Sequence, residues 1–292
     1  MEREALGQGY ESVDQLAEQS PETFSQLAKQ WRIYNERLVK SGEFRNNKGS
    51  DSIDAKLYRN TSQGDGGGRG SASDTLASAQ AHLERSLRDG SGSSQDAGVQ
   101  REALVQWADG NGRLVRKLPR GLEEKLFGED QGGREHHAFY DEKLGRWIKA
   151  TKGTGSSFGF FPVIDGTGWG LAPAPVDAYL KRLEESNAFS GDDVRLHAVW
   201  LDGRNLSLIT SQPDVGGVNV SVDRIAEQMA TRKFVDMGNG AFYREADNRL
   251  ITDAHPGNLN EIDGILIPFD VNVTTPSAEL LDAIRAGTAS SK

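Results

Sequence analysis

The stretch from Arg249 to Val271, RLITDAHPGNLNEIDGILIPFDV, constrains this chain more than any other. Arg249-Leu250-Ile251 has the character of a short strand, Asp263-Gly264 of a tight turn and Ile265-Leu266-Ile267 of a second apolar strand, with a polar loop leaving the first. A chain that doubles back this tightly gathers Asp253 and Asn258, on the loop, at the same end as Asp270, at the exit of the second strand. Carboxylate and amide oxygens are the ligands that hard divalent cations take, and a hydroxyl that accepts a phosphoryl group needs a carboxylate beside it. The plainer reading is a polar hairpin with a Pro-Gly turn and no chemistry.

The spacing favours chemistry. Protein kinases carry a catalytic loop with Asp-x-x-x-x-Asn, then a short hairpin, then a second, metal-holding Asp. Asp253 to Asn258 fits that frame and Asp270 follows at the hairpin distance. The flanks depart from it: Ile251-Thr252-Asp253 stands for His-Arg-Asp, and Asp270-Val271-Asn272 for Asp-Phe-Gly. The DAHPGN wording resembles the loop of aminoglycoside-phosphotransferase-like and other atypical kinases.

Composition narrows the alternatives. A chain of 292 residues holds one or two domains, and 36% hydrophobic residues suffice for a core, although a mean hydropathy of −0.58 and 34 glycines leave part of it unable to bury itself. A net charge of −9 argues against a surface that tracks a phosphate backbone, so no nucleic-acid partner is expected. Without cysteine there are no disulfides, thiolate metal sites or cysteine nucleophile, which fits a reducing compartment. The N-terminus lacks an apolar signal region and no run reaches the length of a membrane span. The expectation is a soluble, cytoplasmic protein.

The first third is the least informative. Residues 13–39 carry Leu27, Trp31, Tyr34 and Leu38 at near-helical spacing, with Ser20-Pro21-Glu22 as a helix start. Ser41 to Ser73 turns to Gly, Ser, Asn and Asp, including GDGGGRGSAS, too polar to offset its ordering entropy. The glycines from Gly64 to Gly70 follow no strand and precede no Lys-Ser/Thr, so they read as a linker and not as a phosphate cradle. A second helix is expected over Asp74 to Arg88. Residues 1–98 are accordingly expected to form a largely disordered, partly helical extension, and 99–292 the folded domain.

Beyond Val99 the elements follow at short spacings. Arg101 to Ala108 is a helix stopped by Gly110-Asn111-Gly112. Residues 131–152 read as a hairpin with Trp147, Lys149 and Thr151 on one face of the second strand and Ile148 and Ala150 on the other. Lys149 is the candidate ammonium for nucleotide phosphates, with Trp147 beside it to stack on a base. Gly132-Gly133 would allow close backbone approach, although the segment is not GxGxxG. Gly153 to Pro175 is an irregular, aromatic-rich loop. Val176 to Phe189 is a helix with Val176, Tyr179, Leu180 and Leu183 on one face, and Glu184 on its flank is the acid expected to pair with Lys149. Val194 to Leu201 and Asn205 to Ser211 form a hairpin through Asp202-Gly203, and Thr210-Ser211-Gln212-Pro213 stands where a kinase places its hinge, with Gln212 at the nucleotide. Ser221 caps a helix with Ile225, Ala226 and Met229 inward, and Phe234 to Arg244 is a hairpin around Asn239-Gly240.

Glycine turn, strand lysine, helix acid, hairpin, hinge, helix, catalytic loop and metal aspartate thus occur in series. The segments GGREHHAFYD, WIKATK, YLKRLEESNAFSGDD, ITSQP, TDAHPGN and IPFDV resemble the kinase-like domain of polyvalent proteins, the large multi-domain proteins of phages and conjugative elements, across roughly residues 101–275. The resemblance implies an α+β, bilobal protein-kinase-like fold, ATP with Mg²⁺, and phosphoryl transfer to Ser, Thr or Tyr of a protein. Asp253 would be the base, Asn258 and Asp270 the Mg²⁺ ligands and Lys149 the phosphate clamp. The 22 residues after Asp270 hold no Ala-Pro-Glu segment, so the C-terminal lobe is expected to be reduced and conventional activation-loop control absent. Two other classes stay open: a small-molecule phosphotransferase acting on a hydroxylated substrate, and an inactive nucleotide-binding interaction module.

Overall fold

The computed structural model describes residues 13–20, 22–25, 28–29, 53–58, 72–89 and 96–290, except 129–130, 153–157, 167 and 263 within the last range. Of the helical region expected over residues 13–39, positions 21, 26–27 and 30–39 lie outside the described residues, as do the glycine linker at 64–70 and Asp263 of the expected turn. Within them the protein is a mixed α+β structure with eight α-helices and several sheets. No helix among the described residues is long and apolar enough to cross a membrane.

The largest sheet has five strands in the order β1 (Leu114–Val115), β6 (Arg195–Asp202), β7 (Asn205–Pro213), β3 (Arg146–Thr151) and β2 (His136–Asp141). β2, β3, β7 and β6 are mutually antiparallel, and β1 joins β6 in parallel. Alternation on β3 does what the sequence requires: Ile148 and Ala150 are fully buried in the core, while Trp147 and Lys149 face the other way and remain partly open. The β6–β7 hairpin turns at Gly203, whose φ of +56° suits a residue without Cβ.

Two helical layers cover this sheet. On one side pack α3 (Ala72–Asp89), α4 (Ala97–Gly110) and α6 (Val176–Ser190), with Leu76, Leu83, Leu104, Trp107, Tyr179 and Leu180 in one cluster with the β6 and β7 side chains. On the other lie α2 (Ile53–Tyr58) and α5 (Arg120–Gly128), contributing Ile53, Leu57, Leu122 and Leu126. The core therefore draws on residues before 99. Leu76, Ala79 and Leu83 recur at helical spacing and are 2%, 0% and 0% exposed, so α3 is a wall of the domain and not an appendage. Asp54 of α2 adds polar anchoring, 3.2 Å from Arg113 and 2.9 Å from His197 Nδ1. A further helix, α1 (Val13–Gln19), buries Leu16.

The remaining strands form smaller sheets. β9 (Val235–Gly238), β10 (Ala241–Arg244), β11 (Arg249–Thr252) and β14 (Asn272–Thr274) make one in the order β14-β11-β10-β9; β13 (Ile265–Pro268), β12 (Leu259–Ile262) and β8 (Val218–Asn219) make another. Between them sits α7 (Val222–Thr231), capped by Ser221, whose Oγ accepts from the Arg224 amide as expected. The opening stretch is thus wired differently from the sequence reading. Ile265–Pro268 pairs with Leu259–Ile262, a strand inside the expected polar loop, and Arg249–Thr252 pairs instead with β10 and β14. Gly153 to Pro175 also holds regular structure, the hairpin of β4 (Phe160–Asp165) and β5 (Gly168–Pro173). The C-terminal helix α8 (Ala278–Ser290) packs on β5 and β9 through a cluster that includes Leu280, Leu281 and Ile284.

Candidate functional site

Register brings the acidic residues together. β11 runs into Asp253 and β14 begins two residues after Asp270, and because Thr252 pairs with Asn272 the two carboxylates leave adjacent strands at the same end. Between them β12 and β13 form the excursion that carries Asn258, tied down where the Phe269 amide donates to the Asn258 carbonyl at 3.0 Å. Asp253 holds φ +62°, a left-handed conformation that Asp tolerates better than most residues because its short side chain bonds locally. Here Asn258 Nδ2 donates to both the Asp253 carbonyl and Oδ2, each at 2.9 Å, leaving the Asn258 oxygen unused by those bonds. His255 Nε2 stands 3.4 Å from Asp253 Oδ1.

The five-stranded sheet supplies the cation. Lys149 Nζ lies 3.2 Å from Asp270 Oδ1. Desolvation would raise the Asp270 pKa, but Lys149, with His136 and Arg182, outweighs it and holds the carboxylate below its usual range. Asp253 differs: burial pushes its pKa up, and the opposing influence of His255 and Asn258 does not cancel that. One carboxylate is therefore fixed as an anion, and the other is made more basic, which is the division expected of a ligand and a proton acceptor. His136, buried and close to Lys149, has its pKa lowered to about 4; its Nε2 is 2.8 Å from the Tyr179 hydroxyl.

Two adjoining cavities meet at these residues. The first, about 420 Å³, is lined by Gly132, Gly133, Trp147, Lys149, the segment Gln212 to Val215, Asn258 and Asp270. The second, about 470 Å³, is lined by Glu135, Phe160, Leu171, Asp253, His255 and again Asn258 and Asp270. The structure thus brings Lys149, Asp253, Asn258 and Asp270 to one place, with the glycine pair and the end of β7 around the first cavity. Gly132 is required by its own backbone: a Cβ there would lie 2.0 Å from the His136 carbonyl oxygen. Gln212 is buried and its Nε2 donates to the Phe269 carbonyl, bridging β7 to the loop before Asp270. Trp147 Nε1 donates to Asp214 at 2.9 Å, which turns the indole along the cavity wall.

Glu184 does not join them. It lies on the side of α6 toward α3, where burial and the neighbouring carboxylates of Glu84 and Glu185 raise its pKa, and Lys149 pairs with Asp270 instead. At 100° per residue, the inward stripe of α6 is Tyr179, Arg182, Leu183 and Ser186, so the charge this helix points at the site is a guanidinium. Arg182, 6% exposed, donates to Glu135, to the Phe160 carbonyl and to Asn272 Oδ1. The signal in the sequence was a charged residue on an otherwise uncharged helical stripe.

The donor set suits a hard cation and phosphate oxygens: a carboxylate held ionised, a free amide oxygen, an ammonium and a glycine turn. Among the described residues no three His, Cys, Asp or Glu side chains cluster at metal-ligand spacing, so a cation here would complete its shell with phosphate and water. His136 and His137 point to different surroundings, the Tyr179 hydroxyl and the edge of the Phe127 ring. No protein-family model matches this chain, and no curated protein and no solved structure is significantly similar to it.

Proposed function

We propose that this protein is a kinase-like phosphotransferase that moves the γ-phosphoryl group of ATP to a hydroxyl acceptor, with Asp253 as base and Asn258 and Asp270 as the residues that would hold Mg²⁺. The observation that carries the reading is the contact of Lys149 with Asp270 at the junction of two cavities, beside the Asp253–Asn258 pair. Mg²⁺, when bound, would neutralise phosphate charge. The ammonium of Lys149 orients the phosphates from the sheet side, while Gly132-Gly133 lets the backbone close on them. Trp147 and the end of β7 flank the base. In the second cavity Asp253 accepts the proton of the acceptor hydroxyl, its raised pKa making it the better proton acceptor of the two aspartates.

A protein Ser, Thr or Tyr acceptor follows from the likeness to the kinase-like domain of polyvalent proteins. A small hydroxylated acceptor is favoured by a different observation, the walling of the Asp253 cavity by Phe160 and Leu171 of the β4–β5 hairpin at a volume suited to a small molecule. Incubation with γ-labelled ATP, with and without Mg²⁺, against peptides and against hydroxylated small molecules tests both. Mg²⁺-dependent label transfer supports phosphotransfer and the productive panel names the acceptor. Binding of ATP without hydrolysis or transfer would leave a nucleotide-binding interaction module, and absence of binding would end the reading.

A further inference from the structure

We propose that Arg182 is a positioning residue for phosphoryl transfer, a charge-inverted strut from α6 that sets the glycine turn and the metal strand relative to each other; the inference rests on the phosphotransfer reading above. Kinases hold the corresponding helix by an acid that reaches the strand lysine. In this protein the lysine is engaged by Asp270, and the inward charge of the helix has the opposite sign.

Each arm of the guanidinium grips a part of the site. Nη2 donates to Glu135 Oε2 at 2.7 Å and Nη1 to Glu135 Oε1 at 3.1 Å, a two-pronged contact with the residue between Gly132-Gly133 and His136. Glu135 Oε1 also accepts from the Phe160 amide at 2.8 Å, and Gly159 lies so close that a Cβ there would stand 2.7 Å from Oε2. Nη1 further donates to the Phe160 carbonyl at 2.9 Å and to Asn272 Oδ1 at 2.5 Å. Asn272 pairs with Thr252, so this last contact holds the strand pair from which Asp253 and Asp270 both emerge. Ser186, one helical turn on, donates to the Val271 carbonyl at 3.4 Å.

The geometry gives Arg182 no place on the reacting atoms. The Asn272 arm goes to the aspartates, the Glu135 arm to the glycine turn, and the guanidinium stacks 5.0 Å over the Tyr179 ring, whose hydroxyl meets His136. Lysine can supply the charge but not a planar fork that serves three acceptors. A shift of the metal strand by about 1 Å is enough to cost about a hundredfold in rate.

The test uses the full chain with Arg182→Lys and, because loss of a buried guanidinium can unfold the domain, Asn272→Ala, which leaves the Arg182–Glu135 pair in place. Turnover is measured beside equilibrium binding of a fluorescent N-methylanthraniloyl-ATP with and without MgCl₂. Both variants are expected to lower kcat by about a hundredfold, to bind the probe without Mg²⁺ as the wild type does, and to lose most of the tightening that Mg²⁺ brings. Variants with wild-type kcat and wild-type Mg²⁺ tightening overturn the strut, as does a loss that follows thermal stability alone with the tightening intact. A wild-type protein that neither transfers phosphate nor tightens on the probe with Mg²⁺ overturns the phosphotransfer reading itself, and the strut with it.

Discussion

Replacing Asp253 by Asn removes a proton acceptor while leaving its surroundings almost untouched. Asn tolerates the left-handed backbone that Asp253 adopts at φ +62°. An amide oxygen at this position accepts from Asn258 Nδ2 as the carboxylate does at 2.9 Å, and the backbone bond from the same Nδ2 to the residue's carbonyl is retained. The variant should therefore fold and bind nucleotide like the wild type. A positioned general base contributes about 10² to 10⁴ in rate, so the barrier to transfer should rise by about 3 to 5 kcal/mol. Single-turnover transfer from γ-labelled ATP measures this directly. The pH dependence adds a signature: burial raises the Asp253 pKa, only the ionised form accepts a proton, and wild-type kcat/KM should climb as pH rises through that raised value. In Asp253→Asn that acid limb should vanish. Wild-type turnover by the variant, or an unchanged acid limb, would refute the assignment of Asp253.

Three further outcomes follow from the packing. Leu83→Ala should destabilise the protein by about 2 to 5 kcal/mol in urea unfolding, since Leu83 of α3 is fully buried in the cluster where α3 packs on α6 and β6; a change under about 0.5 kcal/mol would show that α3 is not part of the core. Gly132→Ala should cost about 1 to 3 kcal/mol, because the added methyl meets a backbone carbonyl that no rotamer change can move, and it should weaken ATP binding in calorimetry. For Asp54, burial would raise the pKa, but the hydrogen bond and charge of His197 and the charge of Arg113 lower it to about 2. A depressed folded pKa gives stability that is present above the unfolded value near 4 and lost as pH falls toward 2. With a third of the side chain exposed this amounts to about 1 to 2 kcal/mol, which Asp54→Asn should forfeit at pH 7 and no longer lose on acidification.

Local signals carried much of the fold. Gly203 in the β6–β7 hairpin, Asn239-Gly240 between β9 and β10, the Ser221 cap and the apolar stripe Val176-Tyr179-Leu180-Leu183 each encode their geometry within a few residues, and each stands where the sequence put it. What failed was longer in range or weaker in composition. Leu259-Asn260-Glu261-Ile262 is a strand only because β13 and β8 flank it, and its four half-polar residues carry no signal of their own. The β4–β5 hairpin lies among glycines and prolines, whose spacing in Gly153 to Pro175 carries no strand alternation. In the first third, the helix expected over Asp74 to Arg88 is present as α3, but the polar stretches on either side of it hid that Leu76, Ala79 and Leu83 pack into the core of the domain. At the site, the Asp-x-x-x-x-Asn spacing was legible because loop and strand end are close in sequence. The partner of α6 was not, since Glu135 and Arg182 are 47 residues apart: the helical stripe marks Arg182 as inward, but nothing local names the carboxylate that meets it.

On the phosphotransfer proposal, Asp270, Asn258 and Lys149 form one site for a nucleotide and its cation. Isothermal titration of ATP into wild-type protein and Asp270→Ala, each with and without MgCl₂, tests it most directly. Mg²⁺ is expected to tighten binding to the wild type and to have no effect on the variant. Equal tightening in both proteins, or none in the wild type, would contradict it.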